Sequence, residues 1–257
     1  MLEITLITGA TSGIGYELAK LFARDGNNLL LIGRNKNKMK EIKESLEENY
    51  KINVFTLIKD LKKEQSGEEI YNYVEKNNLI VDNLINNAGF GSFGCFNDID
   101  RIWDLDMIKV NIFALTNLTK LFLPNMMKRN KGGILNVAST AAFQGGPLMA
   151  VYYGTKAYVL SISEALAEEL VNTNIKVSVL CPGPVDTSFQ SVAKVKKSSF
   201  AKGYMMEAKF VAKKGYDGFR KGKTIIIPGF KNKLLIQGLR ILPRKLVSKV
   251  IKRVNNG

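Results

Sequence analysis

The chain contains no histidine, and that absence removes several common chemistries at once. A Ser-His-Asp hydrolase needs imidazole as its base and most catalytic zinc sites use it as a ligand, so acid and base work falls to Tyr, Lys, Asp or Glu. Cysteine is nearly absent too. Cys95 and Cys181 are the only two, both in apolar sequence surroundings, which gives no support to a disulfide framework and points to a reducing cytoplasm. No apolar run approaches the ~20 residues that span a bilayer, and residues 2 to 8 already read as a buried strand, leaving no room for a signal peptide. Internal repeats and low-complexity linkers are missing. The 257 residues, 46% hydrophobic, therefore predict one large domain over residues 1 to 230 followed by an extension over 231 to 257. Acidic residues are scarce in the last quarter. Residues 194 to 257 hold 18 Lys+Arg against Glu207 and Asp217, whereas residues 1 to 193 hold 20 against 21, so the net charge of +15 belongs to the tail. Either these are solvated faces of a lysine-rich chain, or they meet an anionic partner such as a membrane surface, an acidic carrier protein or a phosphorylated substrate.

What is present is an alternation of short apolar runs with helix-length periodic segments. Strands are predicted near 2 to 8, 28 to 33, 52 to 57, 83 to 86, 132 to 138, 175 to 181 and 224 to 227, and helices near 14 to 25, 36 to 49, 64 to 77, 101 to 129, 152 to 172 and 205 to 220. That pattern predicts an α/β fold: a Rossmann-like, doubly wound, seven-stranded parallel sheet between two helical layers, with right-handed crossovers. Such sheets bind ligands at the carboxyl ends of their strands. The notable residues fall there: Thr8 and Gly9, Arg34, Asp60, Asn87 and Gly89, Ser139, and Pro182 and Gly183 follow the first six strands in turn.

The first of these turns, Thr8-Gly9-Ala10-Thr11-Ser12-Gly13-Ile14-Gly15, has glycines that let the backbone approach a pyrophosphate and a following helix that offers its N-terminal amides. A tight strand-to-helix turn without ligand is the plainer reading. At the tip of the second strand, Gly33-Arg34-Asn35 lacks the carboxylate that would hold both ribose hydroxyls of NAD. Charge logic favours NADP, with Gly33 leaving space and Arg34 gripping a 2′-phosphate, unless Arg34 is a surface residue opening a helix. Asp60-Leu61 either meets the adenine amino group or caps the next helix. Tyr152 and Lys156 stand four apart, thirteen residues after Ser139. One helix face carries both, where the cation can favour the phenolate and bring a phenol that normally titrates near ~10 toward useful proton exchange. Taken with the glycine turn, this points to hydride-transfer chemistry. Taken singly, Ser139 could cap a turn, Asn111 could face solvent in mid-helix and Lys156 could be a surface charge.

These motifs, Thr8 to Gly15, Asn86-Asn87-Ala88-Gly89, Asn111, Ser139, Tyr152-x-x-x-Lys156 and Pro182-Gly183-Pro184-Val185-Asp186-Thr187, come in the order and at the separations of the short-chain dehydrogenase/reductase family, which the chain resembles from residue 2 to about 230. The resemblance implies that Tyr152 exchanges the proton on the substrate oxygen during hydride transfer with NADP(H) and that Ser139 hydrogen-bonds that oxygen. It further implies that Lys156 binds the nicotinamide ribose and lowers the tyrosine pKa, and that Asn111 holds a water linking Lys156 to solvent. Residues Asn87, Ala88 and Gly89 would pass beneath the adenosine ribose, and Pro182, Gly183, Val185 and Thr187 would take the carboxamide side of the nicotinamide. Thr11, Ser12, Gly13 and Ile14 complete the cofactor set, and no metal is expected. Tyr153 is the alternative acid, disfavoured by its spacing to Lys156. The resemblance also implies a homodimer or homotetramer, built through the helices near 101 to 129 and 152 to 172.

Substrate residues are less legible. Phe90, Phe93, Phe96, Phe143, Met149, Phe189, Met205 and Met206 suggest an apolar cavity for a hydrophobic ketone or aldehyde, steroid-like or acyl, under a lid near 188 to 204 whose Lys194 to Lys197 cluster would attract an anionic tail. Past Pro243, Leu246, Val247, Val250, Ile251 and Val254 make an apolar helical stripe with basic residues around it. Docking on the fold or on a second subunit is the favoured reading, and an anionic membrane surface the runner-up. The contrasting functional class is a binding protein that senses NADP without turnover and uses its basic tail on membrane or nucleic acid. An intact Tyr152, Lys156, Ser139 and Asn111 set argues against it.

Overall fold

Residues 1–189 and 205–256 are described by the computed structural model of the chain. Nine strands occur among them: β1 (Leu2–Thr8), β2 (Asn28–Gly33), β3 (Val54–Ile58), β4 (Leu79–Asn86), β5 (Gly132–Val137), β6 (Ile175–Leu180), β7 (Val185–Asp186), β8 (Met206–Glu207) and β9 (Ile225–Ile226). Seven of them form one parallel sheet in the order β3-β2-β1-β4-β5-β6-β9, and β7 pairs with β8 apart from it. The helices are α1 (Gly13–Arg24), α2 (Lys36–Tyr50), α3 (Ser66–Lys76), α4 (Arg101–Ile108), α5 (Leu115–Arg129), α6 (Ala150–Glu169), α7 (Ala208–Arg220), α8 (Phe230–Ile241) and α9 (Arg244–Asn256).

The near-continuous apolar runs of β1 and β2 follow from coverage on both faces. Alternate residues of β2 feed opposite layers: Leu29 and Leu31 join Leu18, Phe22 and Phe219 in the core under α1 and α7, while Leu30 and Ile32 join Ile70, Leu118 and Phe122 under α3 and α5. The chain runs outward through β2 and β3 and then returns to set β4 on the other side of β1. This reversal of strand order opens a crevice beyond the carboxyl ends of β1 and β4.

Several elements differ from expectation, each for a local reason. β4 begins at Leu79 rather than near 83, because the polar Asn83 that breaks its apolar run is buried and donates to Thr5 Oγ1 at 3.2 Å, beside a register shift in β1. The helix predicted over 101 to 129 is divided into α4 and α5 by a π-helical turn, Lys109–Ala114. Residues 206 and 207, predicted helical, instead pair with β7 in a short strand, where Met206 packs on the α1 side of the sheet. The sequence surroundings of Cys95 were misleading: it is exposed, and only Cys181 is buried.

Beyond β9 the tail forms two helices that pack by one side. Ile236 and Val247 are buried, Asn255 Nδ2 donates to the Pro147 carbonyl at 2.8 Å, and Asn232 Nδ2 donates to the Pro228 carbonyl at 2.8 Å. Of the predicted lid, residues 190 to 204 lie outside the described residues, as does the Lys194 to Lys197 cluster. No helix among the described residues is long and apolar enough to cross a membrane.

Phe22 joins α1 to α7, its ring centroid 4.9 Å from that of Tyr216 and 6.2 Å from that of Phe219. Phe22→Ala is expected to destabilise the chain by about 3–5 kcal/mol, read as a lower denaturant midpoint at unchanged slope. An unchanged midpoint would show that the two helices do not depend on this ring.

Candidate active site

The crevice is built on the turn after β1. Gly9 and Gly13 sit at φ of 66° and 55°, a region that side chains disfavour. A Cβ on Gly13 would lie 2.9 Å from Thr187 Cγ2, and one on Gly15 would collide with Asn87 Nδ2 and the Gly9 carbonyl. The turn is locked to the end of β4: Asn87 Nδ2 donates to the Thr8 and Gly9 carbonyls, each at 3.0 Å. Thr8 Oγ1 accepts from the amides of Asn87 and Ala88, also at 3.0 Å. Thr8 and Asn87 are thus consumed in shaping the turn. Ser12 is the N-cap of α1 but makes no side-chain cap bond, so the first-turn amides of Gly13, Ile14 and Gly15 face the cleft mouth as a seat for an anion.

Arg34 is exposed at the tip of β2, and among the described residues it forms no ion pair. Gly33 leaves room for protein rather than for ligand, since a Cβ there would approach Thr11 Cγ2 to 2.8 Å. Asp60 does not cap α3. Its carboxylate accepts from the Lys62 amide at 3.2 Å, and its carbonyl accepts from Ser66 Oγ at 2.7 Å. Leu61 is a core side chain, so only its backbone is left for a ligand. At the other end of the cleft the Pro182 carbonyl accepts from the Thr140 amide at 2.8 Å. Gly183 lies against Asn232, Val185 packs toward α1, and Thr187 reaches Gly13.

α6 presents Tyr152, Thr155, Lys156, Val159, Leu160 and Ser163 as its buried stripe, the three-and-four spacing of a helix face turned inward. A polar relay fastens it to the sheet. Asn86 Nδ2 donates to Asn136 Oδ1 at 2.9 Å, and Asn136 Nδ2 to Ser163 Oγ at 2.9 Å. Lys156 Nζ donates to the Val137 carbonyl at 2.8 Å and stands 5.9 Å from the Tyr152 ring centroid. Ser139 lies two residues past the end of β5, at the N-cap of the 3-10 turn Thr140–Phe143. Its hydroxyl donates to the Pro182 carbonyl at 3.4 Å, accepts from the Ala141 amide at 3.1 Å and lies close enough to the Tyr152 phenol to affect its acidity.

Expected and observed electrostatics differ here. The ammonium was expected to acidify the phenol, but burial prevails and pushes Tyr152 up to about 12, with the Ser139 hydroxyl pulling it down and Tyr153 pushing it further up. Burial also drives Lys156 down to about 8, with Cys181 nearby opposing. Cys181 itself is pushed up to about 12 by burial, while Lys156 pulls it down. Tyr153, the alternative acid, has its ring against Gly146 with its centroid 6.1 Å from that of Tyr152, and burial raises its pKa while Asn255 lowers it.

Asn111 lies in the π-helical turn, almost fully buried. Its amide is committed within the protein, with Oδ1 accepting from the Phe90 amide at 3.1 Å and Nδ2 donating to the Phe90 carbonyl and to Thr155 Oγ1 at 3.0 Å each. A Cβ on Gly89 would lie 3.0 Å from Asn111 Oδ1 and 3.4 Å from Lys156 Nζ, so Gly89 separates the two.

Around Tyr152 gather Met107, Ala141 and Met149, with Phe90, Phe93, Trp103, Val151, Tyr153 and Phe189 packed against them. Phe189 approaches Tyr152 to 5.3 Å between ring centroids. Phe143 departs from expectation, packing instead with Leu115, Val159 and Cys181, because the 3-10 turn at Thr140–Phe143 swings it behind Ser139. Phe96 departs too, at 71% exposed. Trp103 and Met107 were not anticipated. Their four-residue spacing on α4, which Asp100 caps by accepting from the Ile102 and Trp103 amides, was the available signal.

The glycine cradle, the first-turn amides and the unopposed Arg34 fit a dinucleotide, and comparison with known proteins agrees. The family model for short chain dehydrogenase matches residues 3–197. A very-long-chain 3-oxoacyl-CoA reductase of Rattus norvegicus is 32% identical over 207 residues, which cover 78% of this chain and 64% of that protein. The match thus takes in less than two thirds of that relative's length. A short-chain dehydrogenase from Sphingobium yanoikuyae, solved in complex with NADPH, superposes with a TM-score of 0.83 at 27% identity, covering 93% of this chain and 94% of that one. A bulky-bulky ketone specific alcohol dehydrogenase from Comamonas testosteroni superposes with a TM-score of 0.78 at 27% identity, covering 95% of each. Motif order, sheet topology and these likenesses agree, and the chain belongs to the short-chain dehydrogenase family of oxidoreductases.

Proposed function

We propose that this chain is an NADP(H)-dependent oxidoreductase that interconverts a carbonyl and a hydroxyl on a hydrophobic substrate, with Tyr152 as the acid. The observation that carries the reading is a buried phenol beside a serine hydroxyl and an ammonium, at the mouth of a glycine cradle. The bound dinucleotide would supply hydride to the carbonyl carbon. Its pyrophosphate would take the first-turn amides of α1, its 2′-phosphate Arg34, its adenine the Asp60-Leu61 edge, its ribose hydroxyls Lys156, and its carboxamide the 182 to 187 segment. At about 12, Tyr152 stays protonated at neutral pH, which is the form that gives a proton to a carbonyl oxygen. Ser139 would hold that oxygen and Lys156 would favour the phenolate left behind. The apolar ring around Tyr152 suits a bulky ketone or an acyl chain, the classes named in two of the relatives.

Tyr152→Phe is expected to lower NADPH-dependent reduction of bulky ketones by about 10²–10⁴-fold while cofactor binding persists. Undiminished turnover would remove Tyr152 from the chemistry. In the same assay the wild-type rate should fall as pH rises through about 8, where Lys156 loses its charge; a flat profile to pH 10 would contradict that role. Arg34→Ala should weaken NADPH by about 10–100-fold, the loss of a bidentate phosphate contact, with NADH little changed. Equal losses for both cofactors would argue against a phosphate grip.

The exposed apolar residues Ile102, Leu105 and Ile108 on α4, with Phe113 just beyond, suit a second copy, paired through α4, α5 and α6. Leu105→Glu should halve the mass measured by light scattering. A wild-type monomer would refute this pairing.

A further inference from the structure

The two tail helices pack on the fold by one side and leave apolar side chains exposed on the other. On α8 the buried side is Asn232 and Ile236. Phe230, Leu234 and Ile241, spaced by four and seven, share the opposite side and are 78%, 64% and 85% exposed. On α9 Val247 is buried, and Leu246, Val250 and Val254 stand open beside it at i, i+4 and i+8. Their neighbours on the other flank are Lys245, Lys249 and Arg253, all exposed. Residues 231 to 256 carry eight Lys or Arg and no Asp or Glu.

We infer that this open face of α8 and α9 rests on an anionic phospholipid surface. The occupant follows from charge and shape. A second copy laid face to face about a two-fold axis would set the exposed Lys245, Lys249 and Arg253 against like charges. The apolar residues run along the outside of two helices, as suits a yielding layer of acyl chains rather than one knob entering a pocket. Helices of this kind lie in the headgroup plane, apolar side inward, with flanking cations on anionic headgroups. The contact would also bring the substrate side of the molecule to the interface, because α9 meets Pro147 through Asn255 and lies against Gly145 through Ser248, just before Met149 and Tyr152. The inference stands independently of the catalytic reading.

The test is cosedimentation of the full chain with phosphatidylcholine vesicles, with and without phosphatidylglycerol. The expected result is binding to the anionic vesicles, reduced about tenfold on neutral vesicles or in ~0.5 M salt, which shortens the screening length. Binding should be lost in the joint variant Leu246→Ser, Val250→Ser, Val254→Ser, all exposed positions, with its thermal midpoint retained. Should that variant fold poorly, Lys245→Gln, Lys249→Gln, Lys252→Gln serves as the second, with a loss confined to anionic vesicles. Wild-type protein left in the supernatant at low salt would overturn the inference. So would binding that survives in the folded variants, or a light-scattering mass that falls in the serine variant, which would assign the face to self-association.

Discussion

A buried ammonium organises the working end of this protein. Lys156 is 5% exposed and gives a hydrogen bond to the carbonyl that ends β5. Taking a cation out of water is expensive, and without a carboxylate beside it the penalty appears as a lowered pKa. What sustains the arrangement is the fit of α6 against the sheet. The Asn86, Asn136 and Ser163 relay and the stripe through Val159 hold the helix where Lys156 reaches that carbonyl and the region of the phenol. Each bond of the relay contributes about 1 kcal/mol, so the relay matters more for placement than for total stability.

The glycine turn depends on the same economy of partners. Asn87 spans two carbonyls that a turn of this shape leaves free, and Thr8 accepts the two amides that follow β4. β1 and β4 are thereby tied at the point where the strand order reverses. The crevice is fixed by four short bonds rather than by the ligand that would fill it.

Much of this was legible in the sequence because the signals are periodic or local. The parallel sheet followed from apolar runs alternating with helical segments, and the glycine turn, Ser139, Tyr152 and Lys156 could be placed because each ends or begins an element whose type was clear. What escaped depends on contacts distant in sequence. The π-helical turn at Lys109–Ala114 leaves no mark in a segment that reads as one helix, yet it aims Asn111 at Phe90. Aromatic type alone could not separate Phe90, which packs by Tyr152, from Phe143, which turns behind Ser139, or from Phe96, which meets solvent. The phenol pKa was misjudged because sequence shows the ammonium four residues away and not the burial that both groups share.

Cys181 follows β6, fully enclosed behind Ser139, with its thiol pushed up to about 12. Since the thiolate is the reactive form, burial shields this sulfur from alkylating reagents and peroxide, although it neighbours Lys156. Cys95 is the thiol in contact with solvent. Redox stress or a maleimide label would therefore mark the loop after β4 while leaving the centre of the molecule chemically untouched.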